Sequence, residues 1–137
     1  MNERIPPLYP WPLDSLLGRI AAEWEDRGEI FNLASRRFYR PDPDLDLGWD
    51  LGATRVATPV GPAAGPHTQL AQNIVLSWLG GARTFELKTI QILDELDIER
   101  PCIDMENVGY NIEWSQELTL GQSLVEYAKS WLLLAVL

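Results

Sequence analysis

The stretch from Arg55 to Thr89 limits what this chain can fold into more than any other. It opens with a short run of β-type residues, RVATPV, and passes into the Gly- and Pro-rich GPAAGPH. Beyond it, Leu70, Ile74, Val75, Trp78 and Leu79 recur at helical spacing and predict a helix from about Thr68 to Leu79. Gly80 and Gly81 end that helix, because glycine tolerates the left-handed conformation that closes one. Thr84–Leu87 then reads as a second short strand, followed by Lys88 and Thr89. Strand, turn, helix, glycine and strand make one βαβ unit. Such crossovers are right-handed almost without exception, so the two strands are expected to lie parallel. The class this predicts is α/β.

The flanking segments are less demanding. The first eleven residues are Pro-rich and extended. Leu16, Leu17, Ile20, Ala21 and Trp24 then mark an amphipathic helix, with Asp14 as its expected N-cap and Gly28 as its stop. Arg40–Gly52 carries four aspartates, two prolines and two glycines, which predicts a turn-rich acidic loop or a weak hairpin. Its spacing is not that of a calcium loop. Counting from Asp42, the sixth position is Leu47 where glycine is needed, and the twelfth is Ala53 where glutamate is needed. Ile90–Asp104 reads as a long connection, Gly109–Trp114 as extended, and a last helix is expected to start near Glu117 or Thr119. That helix runs into SWLLLAVL, whose last seven residues are all apolar and carry no cap. The expectation is a helix cut before its natural end, or one covered by structure outside the chain.

Composition narrows the function classes. Hydrophobic residues make up 46% of the chain and charged residues 23%, a balance that supports one folded domain rather than a disordered segment. The formal net charge is -9, which repels phosphate backbones and anionic membranes, so no nucleic acid and no membrane partner is expected. Cys102 is the single cysteine, and one thiol holds neither an internal disulfide nor, alone, an iron–sulfur cluster or structural zinc. The start of the chain lacks the basic and apolar regions of a secretory signal, and no apolar run approaches the roughly 20 residues of a membrane helix. A cytoplasmic protein without a bound metal is the default expectation.

The turn after the first strand is the candidate site. Gly and Ala at Gly61–Gly65 leave the backbone uncovered, so a flat ring or an anion can approach it, and a helix N-terminus with free N–H groups follows. The spacing is neither that of a Rossmann fingerprint nor that of a P-loop, and Pro62 removes one donor. From spacing alone it is a βα-loop of open purpose, either a ligand platform or a tight packing turn. Lys88 lies at the C-terminal end of the second strand, the end that faces the active site in parallel α/β folds. Parallel neighbours lie about 5 Å apart, so Lys88 is expected near the turn. A bare backbone platform beside a lysine suits the pyrimidine side of a flavin, where the reduced ring gains negative charge. A surface lysine at a strand end is the other reading.

At these residues a resemblance emerges. Ala57–Asn73 (ATPVGPAAGPHTQLAQN), Phe85–Leu93 (FELKTIQIL) and Pro101–Asp104 (PCID), with Phe38-Tyr39 and Glu113-Trp114-Ser115, are similar to the N-terminal region of the family labelled selenate reductases. That region in turn resembles the FMN barrel of dihydroorotate and dihydropyrimidine dehydrogenases. The resemblance implies the N-terminal part of a TIM-barrel-like (β/α)8 flavin domain, incomplete, with a helical extension over residues 1–54 and the first βαβ portion over 55–137. It implies that Ala64 and Gly65 form the platform under FMN and that Lys88 and Thr89 make the second contact. His67 is a candidate acid or base near the flavin, and Cys102 a second candidate catalytic group, each with a structural role as the alternative. Asp104 and Glu113 are candidate ligand contacts. One dehydrogenase branch places Phe-Asp-Lys-Asn after the turn; here Pro66–Gln69 stands there, and that lysine contact is lost.

A complete barrel takes about 250 residues, and the chain has 137. The resemblance therefore implies that FAD, NAD(P)H and 4Fe-4S sites belong to regions outside it, with the rest of the same enzyme or a partner subunit completing the flavin site. The implied activity is electron transfer from a reduced nicotinamide to a small-molecule substrate, and nothing in these residues selects selenium oxyanions. The competing expectation is a small non-catalytic interaction or structural module that docks through its apolar last helix.

Overall fold

The computed structural model describes residues 8–90, 92, 103–104, 110–111, 114–115 and 117–137, with the backbone alone for residues 66–67, 103–104, 110–111 and 114–115. Its first element, helix α1 (Leu13–Arg27), buries Leu16 and Ile20 on the stripe the periodicity predicts. The N-cap is Pro12 rather than Asp14. Proline costs nothing at a helix start, where its missing N–H would have had no partner. Asp14 sits inside the first turn and accepts the Ser15 N–H at 2.8 Å. Gly28 ends the helix in the left-handed conformation, with φ 61°.

A tight hairpin follows, β1 (Glu29–Ile30) against β2 (Leu33–Ala34), antiparallel. Its two loop residues, Phe31 and Asn32, have φ of 48° and 63°, the backbone twist that two-residue hairpins require. Glycine usually supplies it. Here Phe31 is held by burial in the core, and the Asn32 N–H is held by Glu23 of α1, whose Oε2 accepts it at 2.8 Å. Burial alone would raise the Glu23 carboxyl. The Asn32 N–H and the Arg19 guanidinium, 2.5 Å from its Oε1, together hold it below the usual carboxylate range.

A depressed folded-state pKa adds stability that is present above the unfolded value, about 4.3, and is lost as pH falls through the folded value. Glu23→Gln should therefore lower the melting temperature at neutral pH by the equivalent of about 1–3 kcal/mol and flatten its fall below pH 4. Thermal melts across an acid series check this. Parallel acid limbs for the two proteins would show that Glu23 is not the titrating group.

The acidic loop leads into β3 (Trp49–Leu51), which pairs antiparallel with β4 (Thr54–Val56) around Gly52, φ 61°. This corrects the expected pairing of Arg55–Val60. Thr54–Val56 takes its nearest neighbour in sequence, because closing a two-residue loop costs little entropy. Pro59 and Pro62 then remove N–H donors that a longer ladder would need. The remainder of the run still reaches the segment after α2: the Arg83 N–H donates to the Val60 carbonyl at 3.0 Å, without a continuing ladder. Thr84–Leu87 forms no strand. The parallel pair is instead β5 (Thr89–Ile90) with β8 (Trp114–Ser115), while β6 (Ile103–Asp104) and β7 (Tyr110–Asn111) are antiparallel.

Helix α2 (Ala71–Leu79) is preceded by a 3-10 turn, Pro66–Gln69, so the predicted single helix is two pieces. Gly80 stays helical and Gly81 takes the positive φ, 111°. A side chain at Gly81 would also meet the Tyr39 ring at 3.0 Å. The Tyr39 N–H donates to the Leu79 carbonyl at 2.7 Å and so ties the N-terminal extension to the end of α2.

Helix α3 (Leu120–Val136) starts at the predicted Thr119, which exchanges hydrogen bonds with Gln122 in a capping box. Its burial is inverted. Ser123, Glu126, Lys129 and Ser130 are buried, whereas Leu124, Val125, Leu132 and Val136 are exposed and Trp131 is 81% exposed. The buried polar side chains are all engaged. Ser123 Oγ donates to Gln69 Oε1, Glu126 Oε2 accepts the Ala71 N–H at 2.8 Å, and Lys129 pairs with Glu126 and donates to the Trp11 carbonyl at 2.6 Å. Glu126 thus supplies from α3 the cap that Leu70, with no polar side chain, cannot give α2. The core between these helices and the hairpin holds Leu16, Phe31, Val75 and Leu133.

Candidate functional site

The Gly-rich turn and the segment after α2 meet at Gly61. A Cβ there would lie 2.1 Å from the Thr84 carbonyl oxygen, so the two backbones touch where only glycine fits. Thr58, buried three residues before Gly61, anchors the approach by donating to the Gly81 carbonyl at 2.7 Å. Beyond Gly61 the turn stays bare. It forms one wall of an open pocket of about 430 Å³, with Trp49 and Leu51 of β3 and Thr84, Phe85 and Glu86 of the facing segment.

Side chains along that segment alternate. Leu87 lines a second groove, of about 570 Å³, walled by Trp78 of α2 and by Tyr127 and Trp131 of α3, and Phe85 borders both. Thr84 and Glu86 face the turn. Glu86 reaches across it, and its Oε2 accepts the Ala64 N–H at 2.9 Å.

The expected site residues fare differently. Ala64 lies at the contact with Glu86. Gly65 is buried, and its N–H donates to Thr68 Oγ1 at 2.9 Å, which spends it on the 3-10 turn. Lys88 is buried to 6% exposure, and by the alternation of the segment it belongs to the side of Glu86 and the turn. It does not line the pocket itself. Its main-chain N–H faces Tyr127, whose hydroxyl is pushed up by burial and pulled the other way by that N–H. Thr89 is exposed and begins β5, opposite Trp114. His67 has its backbone in the 3-10 turn, and its side chain lies outside the described residues, as does Cys102 entirely. Asp104 is described by its backbone in β6, and Glu113 lies outside the described residues.

Glu86 is the residue the sequence reading missed. The available signal was its position two residues before Lys88, which places both side chains on one face of an extended segment.

These residues fit the ring of a flavin. The bare turn, Trp49 and Phe85 give the pocket apolar walls, and beside it one N–H donor, that of Ala64, and one carboxylate acceptor, that of Glu86, are bonded to each other. They do not supply the phosphate end: among the described residues lining this pocket, none is cationic. No group of three or more His, Cys, Asp or Glu among the described residues is arranged to hold a metal ion. No helix among them is long and apolar enough to cross a membrane.

Comparisons with known proteins agree on one relationship. The family described as "Oxidoreductase YgfK, N-terminal TIM-barrel domain" matches residues 31–137. The YgfK proteins of Escherichia coli K12 and of Escherichia coli O157:H7 are each 52% identical over 130 residues, which is 95% of this chain. The chain spans 12% of the length of each of these relatives. No solved structure matches it.

Proposed function

The chain belongs to the family of oxidoreductase YgfK N-terminal TIM-barrel domains, and from that premise we propose that it contributes the opening wall of a flavin site in a multi-cofactor oxidoreductase. The observation that supports this reading is the bare turn at Gly61–Ala64, fixed against a segment that ends in Lys88 and Thr89. FMN would lie with its pyrimidine edge on that turn. Ala64, with Lys88 and Thr89 at the start of β5, would hold it. When bound, the flavin supplies hydride and single-electron chemistry. The residues of this chain bind and orient the ring, and Lys88 offsets the negative charge the pyrimidine gains on reduction.

The phosphate end, the nicotinamide and FAD sites and the iron–sulfur clusters would come from the rest of the same enzyme or from a partner subunit. The substrate is a small molecule. The net charge of -9 does not favour an oxyanion such as selenate, so the substrate named in the label of the resembled family has no support from these residues. A reaction fed by a reduced nicotinamide belongs in the cytoplasm.

The test is flavin binding by the polypeptide in which the barrel is complete, read as the visible flavin absorption band retained after gel filtration. Lys88→Ala there should weaken FMN binding roughly ten- to hundredfold, the effect of losing one charge-assisted hydrogen bond. Unchanged affinity would remove Lys88 from the site, and a colourless protein that takes up no added FMN would end the flavin reading.

A second reading has its own support. The exposed Leu124, Trp131 and Val136 of α3 suit a module that docks on another protein surface. It predicts that the 137-residue chain binds a partner without any flavin in either component.

A further inference from the structure

We propose that Glu86 is the specificity-determining acceptor for the ring imide of the flavin, and that its bond to Ala64 is a placeholder for that ligand. The inference rests on the flavin reading above and goes beyond it, because it assigns a role to a residue outside the Ala-Gly and Lys-Thr contacts.

Ala64 N–H and the Glu86 carboxylate form a donor and acceptor 2.9 Å apart, Glu86 lining the pocket and exposed, Ala64 half-buried one residue past the lining residue Ala63. A hydrogen bond in that setting contributes little net stability and opens readily. Opening it presents one N–H donor beside one carboxylate acceptor, next to an open pocket whose lining includes Trp49, Pro62 and Phe85. The complementary ligand edge is a carbonyl beside an N–H. The pyrimidine ring of oxidised flavin has that edge, with a single imide N–H between two carbonyls. The exchange is balanced: one protein–protein hydrogen bond is lost, and two bonds to the ligand form, from Ala64 N–H to a ring carbonyl and from the ring N–H to Glu86.

Two features of the fold make Glu86 the acceptor rather than a passing surface carboxylate. Gly61 brings the facing backbone so close that Glu86 cannot lie far from the turn. Glu86 lines the pocket beside the turn and Leu87 lines the groove of the helices, with Phe85 bordering both, so the Glu86 side chain lies on the side of the turn. Among the described residues lining the pocket, Glu86 is the one charged group. An acceptor that strong selects ligands with a donor at that position and rejects those that present a methyl group or a second acceptor there.

The test compares FMN with FMN methylated at the imide nitrogen, in the polypeptide with the complete barrel, using flavin fluorescence to obtain both dissociation constants. The unaltered protein should bind the methylated flavin at least about tenfold more weakly than FMN. Glu86→Ala should remove most of that gap. Glu86→Gln, which keeps a neutral acceptor, should leave part of it. Melting temperatures of both variants should match the unaltered protein, since the side chain is exposed. If the unaltered protein binds both flavins equally, or if Glu86→Ala keeps the full gap, the role of Glu86 is overturned while the flavin reading stands. If the unaltered protein binds neither flavin, both fall.

Discussion

Glu126→Ala is expected to cost the fold about 3–5 kcal/mol, the range seen when one partner of a buried ion pair is removed. That is a large share of the roughly 5–15 kcal/mol that holds an ordinary domain together. Three losses coincide. The carboxylate is fully buried, so its removal leaves Lys129 inside without its counter-charge. The Ala71 N–H at the start of α2 loses its acceptor, and Leu70 cannot replace it. The helix pair α2 and α3 loses a polar contact. Thermal or urea unfolding followed by circular dichroism gives the measurement. Glu126→Gln should be milder, because the amide oxygen can still accept from Ala71. The double change Glu126→Gln with Lys129→Met should recover part of the loss, since no unpaired charge remains buried. A melting temperature unchanged in Glu126→Ala would mean that α2 is held by its apolar face alone.

Gly61→Ala is expected to separate the turn from its neighbour. The new methyl group would sit 2.1 Å from the Thr84 carbonyl oxygen and 2.6 Å from its hydroxyl. The hydroxyl can rotate away; the carbonyl is main chain, held by the adjoining Arg83 N–H bond to Val60, so one of the two segments has to move. Overpacking of this kind costs about 1–3 kcal/mol. The larger effect falls on the site, because a displaced turn no longer holds Ala64 within reach of Glu86. FMN affinity in the completed barrel should drop by more than stability does. Gly18→Ala is the matched control: its Cβ would meet nothing within 4 Å, and it lies inside α1. That change should stabilise the chain by about 0.5–1 kcal/mol through helix propensity. Equal flavin binding by the Gly61 and Gly18 variants would show that the turn can relax without loss.

Helix positions were legible in the sequence because their signals are local. Leu16 and Ile20 fall on one stripe, Gly28 supplies a left-handed stop, and Thr119 with Gln122 forms a cap from residues three apart. The α/β class and the bare turn followed from the same kind of signal. Strand partners did not, because pairing is a competition between distant and near neighbours. Thr54–Val56 has β character on its own, and nothing within it says that Trp49–Leu51 will close on it first. The inverted face of α3 was hidden for a related reason. Periodicity identifies which side of a helix is apolar, but not that Glu126 and Lys129 can neutralise each other and satisfy Ala71 and Trp11 from the other side. Glu86 was passed over because an acidic residue beside a lysine looks like solvent-facing charge until the turn opposite is seen to donate to it.

The capping of α2 from α3 gives this fold a timetable. α1 and the hairpin after it close through contacts such as Asn32 with Glu23, nine residues apart, and can settle as soon as they are made. Glu126 comes 55 residues after the Ala71 it caps, and Lys129 reaches back 118 residues to Trp11. At roughly 5–20 residues per second of synthesis, the cap arrives about 3–11 s after the helix it completes. For that interval the nascent chain carries a finished hairpin and an α2 whose first turn is held by water. The order of birth therefore runs from the N-terminal extension inward, and α3, which emerges after α2, is the element that locks it.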